Sequence, residues 1–452
     1  MIRPWIGRLL VAAAAVATLS GASAQDAVVR PTRFDYTMTT LPNGLQVVFL
    51  EDHSTPVVHL ALWYHVGSKD ERPGRTGFAH LFEHLMFKGS KNVLPDQHPS
   101  WITGIGGESN AETDEDTTVY WETVPSHYLP LVLWLEADRM ASLGVSEDKF
   151  RTELEVVKEE RRLRFENQPF GRLPELIFDH AFATHPYKHQ TIGSMADLEA
   201  ASIEDVRAFH DLYYVPNNAT AVVVGDFETQ DARALVEKYL GRVPRGKPVP
   251  RDIPNEPAHT AETRVSLTEP WPLPAVVVSH HITYDGHPDA YPLHILGKIL
   301  SDGDSSRLYR SLVYEKQEAL AAFGEAKLIE HPNLFYAVAI VQAGHQPEDV
   351  IRDLQAELDR VKANGVTAEE LNRAKRQFAR DYILGRETVR QKALQLGHAV
   401  VIHNDIKTAD GEFDLFQNVT LADVQRVART YFTPQSRMVM TVLPGAAAGV
   451  TR

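Results

Sequence analysis

The sequence predicts an α+β protein in which one fold is used twice in tandem. Three observations carry this. Strand-like and helix-like patterns alternate through both halves, a proline-rich stretch separates the halves, and a segment of the first half recurs in the second. Ser202-Ile203-Glu204-Asp205-Val206 through Tyr213-Tyr214-Val215-Pro216 lines up without gaps on Thr420-Leu421-Ala422-Asp423-Val424 through Tyr431-Phe432-Thr433-Pro434. Each copy is followed by an apolar strand, Ala219 to Val224 and Arg437 to Val442. Pro244, Pro248, Pro250, Pro254 and Pro257 read as a semi-rigid linker. The expected divisions are an N-terminal domain over 25–243, a linker over 244–262 and a homologous C-terminal domain over 263–447.

The first 24 residues have the pattern of a secretory signal: Arg3 and Arg8, an apolar run from Leu9 to Leu19, and Ala22-Ser23-Ala24 before Gln25. The expectation is an exported protein, periplasmic in a bacterium with two membranes, with no membrane span once the signal is removed. Losing Arg3 and Arg8 takes the formal charge from -14 to -14 - 2, about -16. Such an acidic chain is a poor partner for nucleic acid or an anionic membrane. There are no cysteines, so neither a disulfide nor a thiolate is available, and any metal must be held by His, Asp or Glu.

In chain order, Arg33 to Thr40 reads as a strand, Pro42-Asn43-Gly44 as a turn, and Leu45 to Glu51 and Val57 to His65 as further strands. The segment Gly77 to Lys88, GFAHLFEHLMFK, then reads as a buried helix. Its His80 and His84 are one turn apart on one face, with Glu83 beside them. Two neutral imidazoles at that spacing suit zinc, and the order H-x-x-E-H is the inverzincin pattern. Burying these three polar groups without an ion to satisfy them would be costly. With zinc bound, Glu83 is placed to act as general base toward water and then as acid toward the leaving amine of a peptide.

A glycine-rich approach, Ile105 to Ala111, leads into an alternating strand, Thr117 to Thr123, which either carries an edge able to pair with an extended peptide or is an ordinary internal strand. Helical periodicity follows over Leu129 to Leu143, and again after Ser146, a good N-cap, through Phe150, Leu154, Val157 and Arg161. Glu153 and Glu160 lie two turns apart on one face of this second helix, and one carboxylate from it would complete a three-ligand zinc site with an open position. A strand at Thr220 to Asp226 and a helix at Gln230 to Leu240 close the first half. In the second copy, His80, Glu83 and His84 fall opposite His294, Gly297 and Lys298, Glu160 falls near Asp381, and Ser146 matches Thr367. That copy keeps the architecture and lacks the metal chemistry.

Over about residues 33 to 445 the chain resembles the pitrilysin, insulin-degrading enzyme and mitochondrial processing peptidase family, in particular its short bacterial two-domain members. The resemblance rests on Leu41-Pro42-Asn43-Gly44-Leu45, Gly67-Ser68-x-x-Glu71, the H-x-x-E-H helix, Gly106-Gly107-x-x-Asn110-Ala111-x-Thr113, the Glu153-to-Glu160 helix, and His185-Pro186-Tyr187 before Ile192-Gly193. It implies two tandem domains, each an antiparallel sheet backed by helices, in the LuxS-like processing-peptidase fold, closing around a peptide chamber. It also implies one zinc per chain held by His80, His84 and Glu160, catalysis by Glu83, Glu153 orienting a ligand, and Asn110 and Ala111 holding substrate backbone.

One departure from that pattern matters. Active family members usually supply an arginine, and a tyrosine several residues later, from the C-terminal domain. Here the matching segment, Arg307 to Lys316, has Val313 where the arginine is expected, and Ala319-Leu320-Ala321-Ala322 where the aromatic should follow. The expectation is therefore the zinc subunit of a heterodimer that cuts short or unfolded peptides, its homologous partner supplying the arginine and tyrosine. A non-catalytic assembly subunit and an exported zinc-dependent binding protein are the alternatives.

Overall fold

The computed structural model describes residues 29–445, so the signal expected at 1–24 lies outside the described residues. The first half forms a six-stranded sheet of β1 (Tyr36–Thr40), β2 (Gln46–Glu51), β3 (Val57–Tyr64), β4 (Glu108–Thr113), β5 (Thr118–Pro125) and β6 (Ala219–Gly225), in the order β1-β2-β6-β3-β5-β4. The second half forms a five-stranded sheet of β7 (Thr263–Glu269), β8 (Ala275–His281), β9 (Ala319–Ala326), β10 (Leu334–Val341) and β11 (Arg437–Pro444), in the order β7-β11-β8-β10-β9. The two orders superpose strand for strand once β1 is set aside. Each sheet is antiparallel except at one place, β2 beside β6 and β7 beside β11, where the strand after the helices returns parallel. The copied segments of the sequence are the helix and strand that make this return.

The helices of the first half are α1 (Phe78–Leu85), α2 (Gln97–Gly104), α3 (Leu129–Ala141), α4 (Glu147–Arg161), α5 (Leu173–Ala181), α6 (Met195–Glu199), α7 (Ile203–Tyr213) and α8 (Thr229–Tyr239). Those of the second are α9 (Ala290–Ser301), α10 (Pro347–Asn364), α11 (Ala368–Leu384), α12 (Val389–Val401), α13 (Thr408–Gln417) and α14 (Leu421–Tyr431). Caps repeat with the fold: the Ser146 side chain accepts from Lys149 N at the start of α4, and Thr367 forms a capping box with Glu370 at the start of α11. Among the described residues no helix is long and apolar enough to cross a membrane.

One face of each sheet is covered by helices of its own half, and the other face by a helix of the opposite half. Val389, Ala393, Leu396 and Val400 of α12 pack on Val48, Ala61, Trp63, Val119 and Val222 of the first sheet. Reciprocally, Leu173, Ile177, Phe178 and Ala181 of α5 pack on Ala275, Val277, Val338, Met438 and Met440 of the second. A sheet buries its apolar faces against neighbouring layers, so this exchange makes each half part of the other's core. The expected proline-rich linker has neither helix nor strand over 244–260 and is pinned twice near the middle of its course. Arg251 Nη1 donates to His65 O at 2.7 Å, and the Glu256 carboxylate accepts from the Ala183, Thr184 and His185 amides at 2.8, 3.0 and 3.0 Å.

Gly397 shows how tight the exchange is. A Cβ there would lie 2.2 Å from Trp63 Nε1 and Cε2, so α12 reaches β3 only because this position has no side chain. Gly397→Leu is expected to lower stability by about 3 kcal/mol or more, as overpacking of a rigid core does. Gly411→Ala, in open space on α13, should leave the urea midpoint unchanged or raise it slightly.

Candidate metal centre

The start of α1 is built before its histidines are placed. Gly77, its N-cap, has φ 89° and no side chain to satisfy the first amides. Glu71 does so instead: its carboxylate accepts from Gly77 N at 2.9 Å and Ala79 N at 2.7 Å, and meets His189 Nε2 at 2.9 Å. Gly193 abuts the same turn so closely that a Cβ would come within 2.4 Å of Gly77. The Gly67-Ser68-x-x-Glu71 and Ile192-Gly193 motifs are thus the cradle of the helix.

On that helix His80 and His84 present their rings side by side, centroids 4.9 Å apart. The Glu160 carboxylate arrives from α4, with Oε2 3.7 Å from His80 Nε2 and 3.5 Å from His84 Nε2. These separations are too long for hydrogen bonds. They match the edge of a tetrahedron about 3.4 Å long that three nitrogen and oxygen ligands describe around one zinc ion. The buried Nδ1 of His80 has no hydrogen-bond partner. Burial, with His84 and Arg164 nearby, lowers the His80 pKa to about 3, which keeps the imidazole neutral and its lone pair available. The donor set therefore fits zinc.

Around these three residues lie the groups that aim them. Glu153 Oε2 is 3.5 Å from His84 Nδ1 and its Oε1 is 3.2 Å from Lys88 Nζ. Burial pushes this carboxyl up, but His84 and Lys88 outweigh it and hold the pKa below the ordinary value. Glu160 Oε1 is 2.7 Å from Arg164 Nη1, whereas Glu159 points outward and pairs with Arg162 at 3.0 Å. Thr113 Oγ1 donates to Glu83 Oε2 at 2.6 Å, and burial is the main cause that raises the Glu83 pKa. Thr113 ends β4, whose outer edge pairs with no strand among the described residues. Asn110, exposed, and Ala111 lie on this strand. The edge is therefore at 108–113, and the Thr117-to-Thr123 segment, as β5, is internal between β3 and β4. Lys88 and Arg164 carry no sequence signal for their part, while Thr113 closes the Gly106-to-Thr113 motif.

In the second copy, Lys298 Nζ lies 3.1 Å from Asp381 Oδ2 and 3.0 Å from Asp302 Oδ2. An ammonium, covalently part of the chain, occupies the position that corresponds to His84, and it faces the carboxylate that corresponds to Glu160. Near the missing arginine, Arg307 is spent on Glu370 at 2.7 and 2.8 Å, and Val313 packs against the second core. Arg310 and Tyr314 are exposed.

Residues 46–194 match the family described as Insulinase (Peptidase family M16), and residues 200–378 match the Peptidase M16 inactive domain. The chain is 33% identical over 397 residues to Zinc protease PqqE of Helicobacter pylori, covering 87% of this chain and 89% of that protein. The chain belongs to peptidase family M16. The crystal structure of a protease from Helicobacter pylori superposes with a TM-score of 0.87 at 31% identity, covering 91% of this chain and all of that one. The periplasmic protease PqqL from Escherichia coli shares the fold at 18% identity and a TM-score of 0.74, with 93% of this chain covering 49% of PqqL. The M16 fold of two helix-backed sheets is thus the fold of this chain, and its relatives are named zinc proteases.

Proposed function

We propose that this chain is an exported zinc endopeptidase subunit that hydrolyses short or unfolded peptides. The observation that carries the reading is the convergence of His80, His84 and Glu160 on one point, with Glu83 on the same helix face. Zinc held by those three residues would supply Lewis-acid chemistry toward water and a peptide carbonyl. Glu83, its carboxylate oriented by Thr113, would accept a proton from water and return it to the leaving amine. Glu153 holds the His84 ring so that Nε2 faces Glu160. The β4 edge at Asn110 and Ala111 holds an extended substrate by main-chain pairing. In this reading 25–243 is the catalytic domain and 263–447 its metal-free homologue.

The same reading gives the chain a homologous partner that supplies the arginine and tyrosine. It is supported by the commitment of Arg307 to Glu370 and by Val313 at the expected arginine position. It is supported also by PqqL, a chain about twice the length this one matches. The test is incubation of zinc-loaded residues 25–452 alone with a mixture of unstructured peptides, followed by mass spectrometry. The expected result is bound zinc with little turnover, restored by the partner. Full turnover by the chain alone would remove the partner from the reading. A folded chain with no zinc at His80, His84 and Glu160 would overturn the peptidase reading itself.

A further inference from the structure

A second cluster of metal-ligand chemistry lies in the second half, away from α1. Asp285, in the turn between β8 and α9, presents Oδ2 to two imidazoles at the end of α12. It is 3.3 Å from His398 Nε2 and 3.0 Å from His403 Nε2. The ring centroids of His398 and His403 are 5.0 Å apart at 77°, against 4.9 Å and 73° for His80 and His84. Glu412 of α13 places Oε1 4.0 Å from His403 Nε2. The cluster opens onto a cavity of about 300 Å³ bordered by Trp63, Thr408 and Glu412.

Hydrogen bonding fixes which nitrogen of His403 faces the cluster. The Thr408 hydroxyl lies 2.8 Å from Asp405 O and 2.9 Å from His403 Nδ1, so Nδ1 is hydrogen-bonded and Nε2 is the nitrogen left to face the cluster. His403 Nε2 is thereby turned toward the Asp285 carboxylate. That nitrogen is buried without a hydrogen-bond partner, in a side chain 4% exposed. It lies 3.0 Å from Asp285 Oδ2 without meeting hydrogen-bond geometry, an arrangement that a shared cation satisfies. Asp285 Oδ1 is occupied by Gly286 N at 2.8 Å, which leaves Oδ2 alone to face the rings.

A contrasting cluster shows what a satisfied group of this kind contains. His98, Glu122 and Glu136 are equally close together and fully buried, but Arg139 lies among them and pairs with both carboxylates. In the Asp285 cluster the groups facing the carboxylate are imidazoles. The guanidinium nearby, Arg386, is spent on Asp410, Gln395 and Tyr382.

We infer that Asp285, His398 and His403 form a second zinc site that pins the end of α12 to the turn before α9. Two nitrogens and a carboxylate oxygen suit zinc. Because α12 is the helix that covers the first sheet, the ion would secure the exchange between the halves.

The test is metal analysis of the full mature chain dialysed against zinc, with anomalous scattering at the zinc edge. The unaltered protein should hold two zinc ions, and His84→Ala and Asp285→Asn one each, at opposite sites. Zinc should raise the melting temperature of His84→Ala and leave that of the double variant His84→Ala, Asp285→Asn unchanged. Asp285→Asn serves as the reporter because the amide keeps the shape of the turn and can still accept from Gly286 N. A single zinc peak, at His80, His84 and Glu160, would overturn the inference while leaving the peptidase reading intact. Zinc at Asp285 alone would do the reverse.

Discussion

Glu83→Gln is expected to lower peptide turnover by about two to four orders of magnitude while leaving zinc content unchanged. The amide keeps the size of the carboxylate and can still meet Thr113 Oγ1, now 2.6 Å from Glu83 Oε2, so α1 and its ligands stay in place. What is lost is the group that can accept a proton from water and return it to the amine. His84→Ala removes a nitrogen that faces both Glu160 and Glu153, so metal and turnover should fall together. Turnover is read with the homologous partner present, and metal by atomic absorption on each variant. Equal zinc loss in the two variants would mean that Glu83 is a ligand, and the division of roles would fail.

The parts of this site that sequence could give were those set by helix period. His80 and His84 share a face because they are four residues apart, and Glu153 and Glu160 because they are seven apart; the choice of Glu160 over Glu159 rests on the family resemblance, and α4 turns Glu159 to solvent. The alignment of the two copies places Lys298 opposite His84 and Asp381 near Glu160, and the two side chains meet at 3.1 Å. Thr113 could not be read in this way, since its contact with Glu83 depends on β4 lying against α1 across 30 residues of chain. Arg164 sits in a π-helical turn, Arg162–Glu166, that extends α4 and carries no periodic signal of its own. Nor could the exchange of α5 and α12 be foreseen. An apolar helix face says that something covers it, and here each face met the sheet of the other half. Whether Thr117 to Thr123 is an edge or an internal strand stays open in the sequence for a similar reason: alternation marks a half-buried strand, but only the neighbours of β5 make it internal.

The largest effect on stability is expected at the seam between the halves, from Lys69→Met. Lys69 lies in the loop after β3, with its side chain 1% exposed, and its Nζ is 2.9 Å from Asp116 Oδ1, itself 4% exposed. The same ammonium pairs with Glu330, from the loop between β9 and β10 of the second half. Tyr187 Oη donates to Asp116 at 2.6 Å, the Glu330 amide donates to Asp116 at 3.1 Å, and His65 Nε2 meets Glu330 at 2.7 Å. Methionine fills the space and leaves two carboxylates without their cation, a loss of about 3–5 kcal/mol. Arg151→Met, at the exposed pair with Glu147, should cost less than about 1 kcal/mol. The pH dependence follows from Glu330. Burial would raise its pKa, but His65 and Lys69 lower it from 4.5 to about 2. Its contribution is complete above the unfolded value of 4.5 and is lost as the pH falls through about 2. The difference between the two proteins in urea midpoint should therefore be greatest at neutral pH and narrow in strong acid. A gap below about 1 kcal/mol at neutral pH would mean that the seam relaxes and admits water when the ammonium is removed. Because Lys69 is two residues from Glu71, which caps α1, the same substitution should also loosen zinc at His80 and His84.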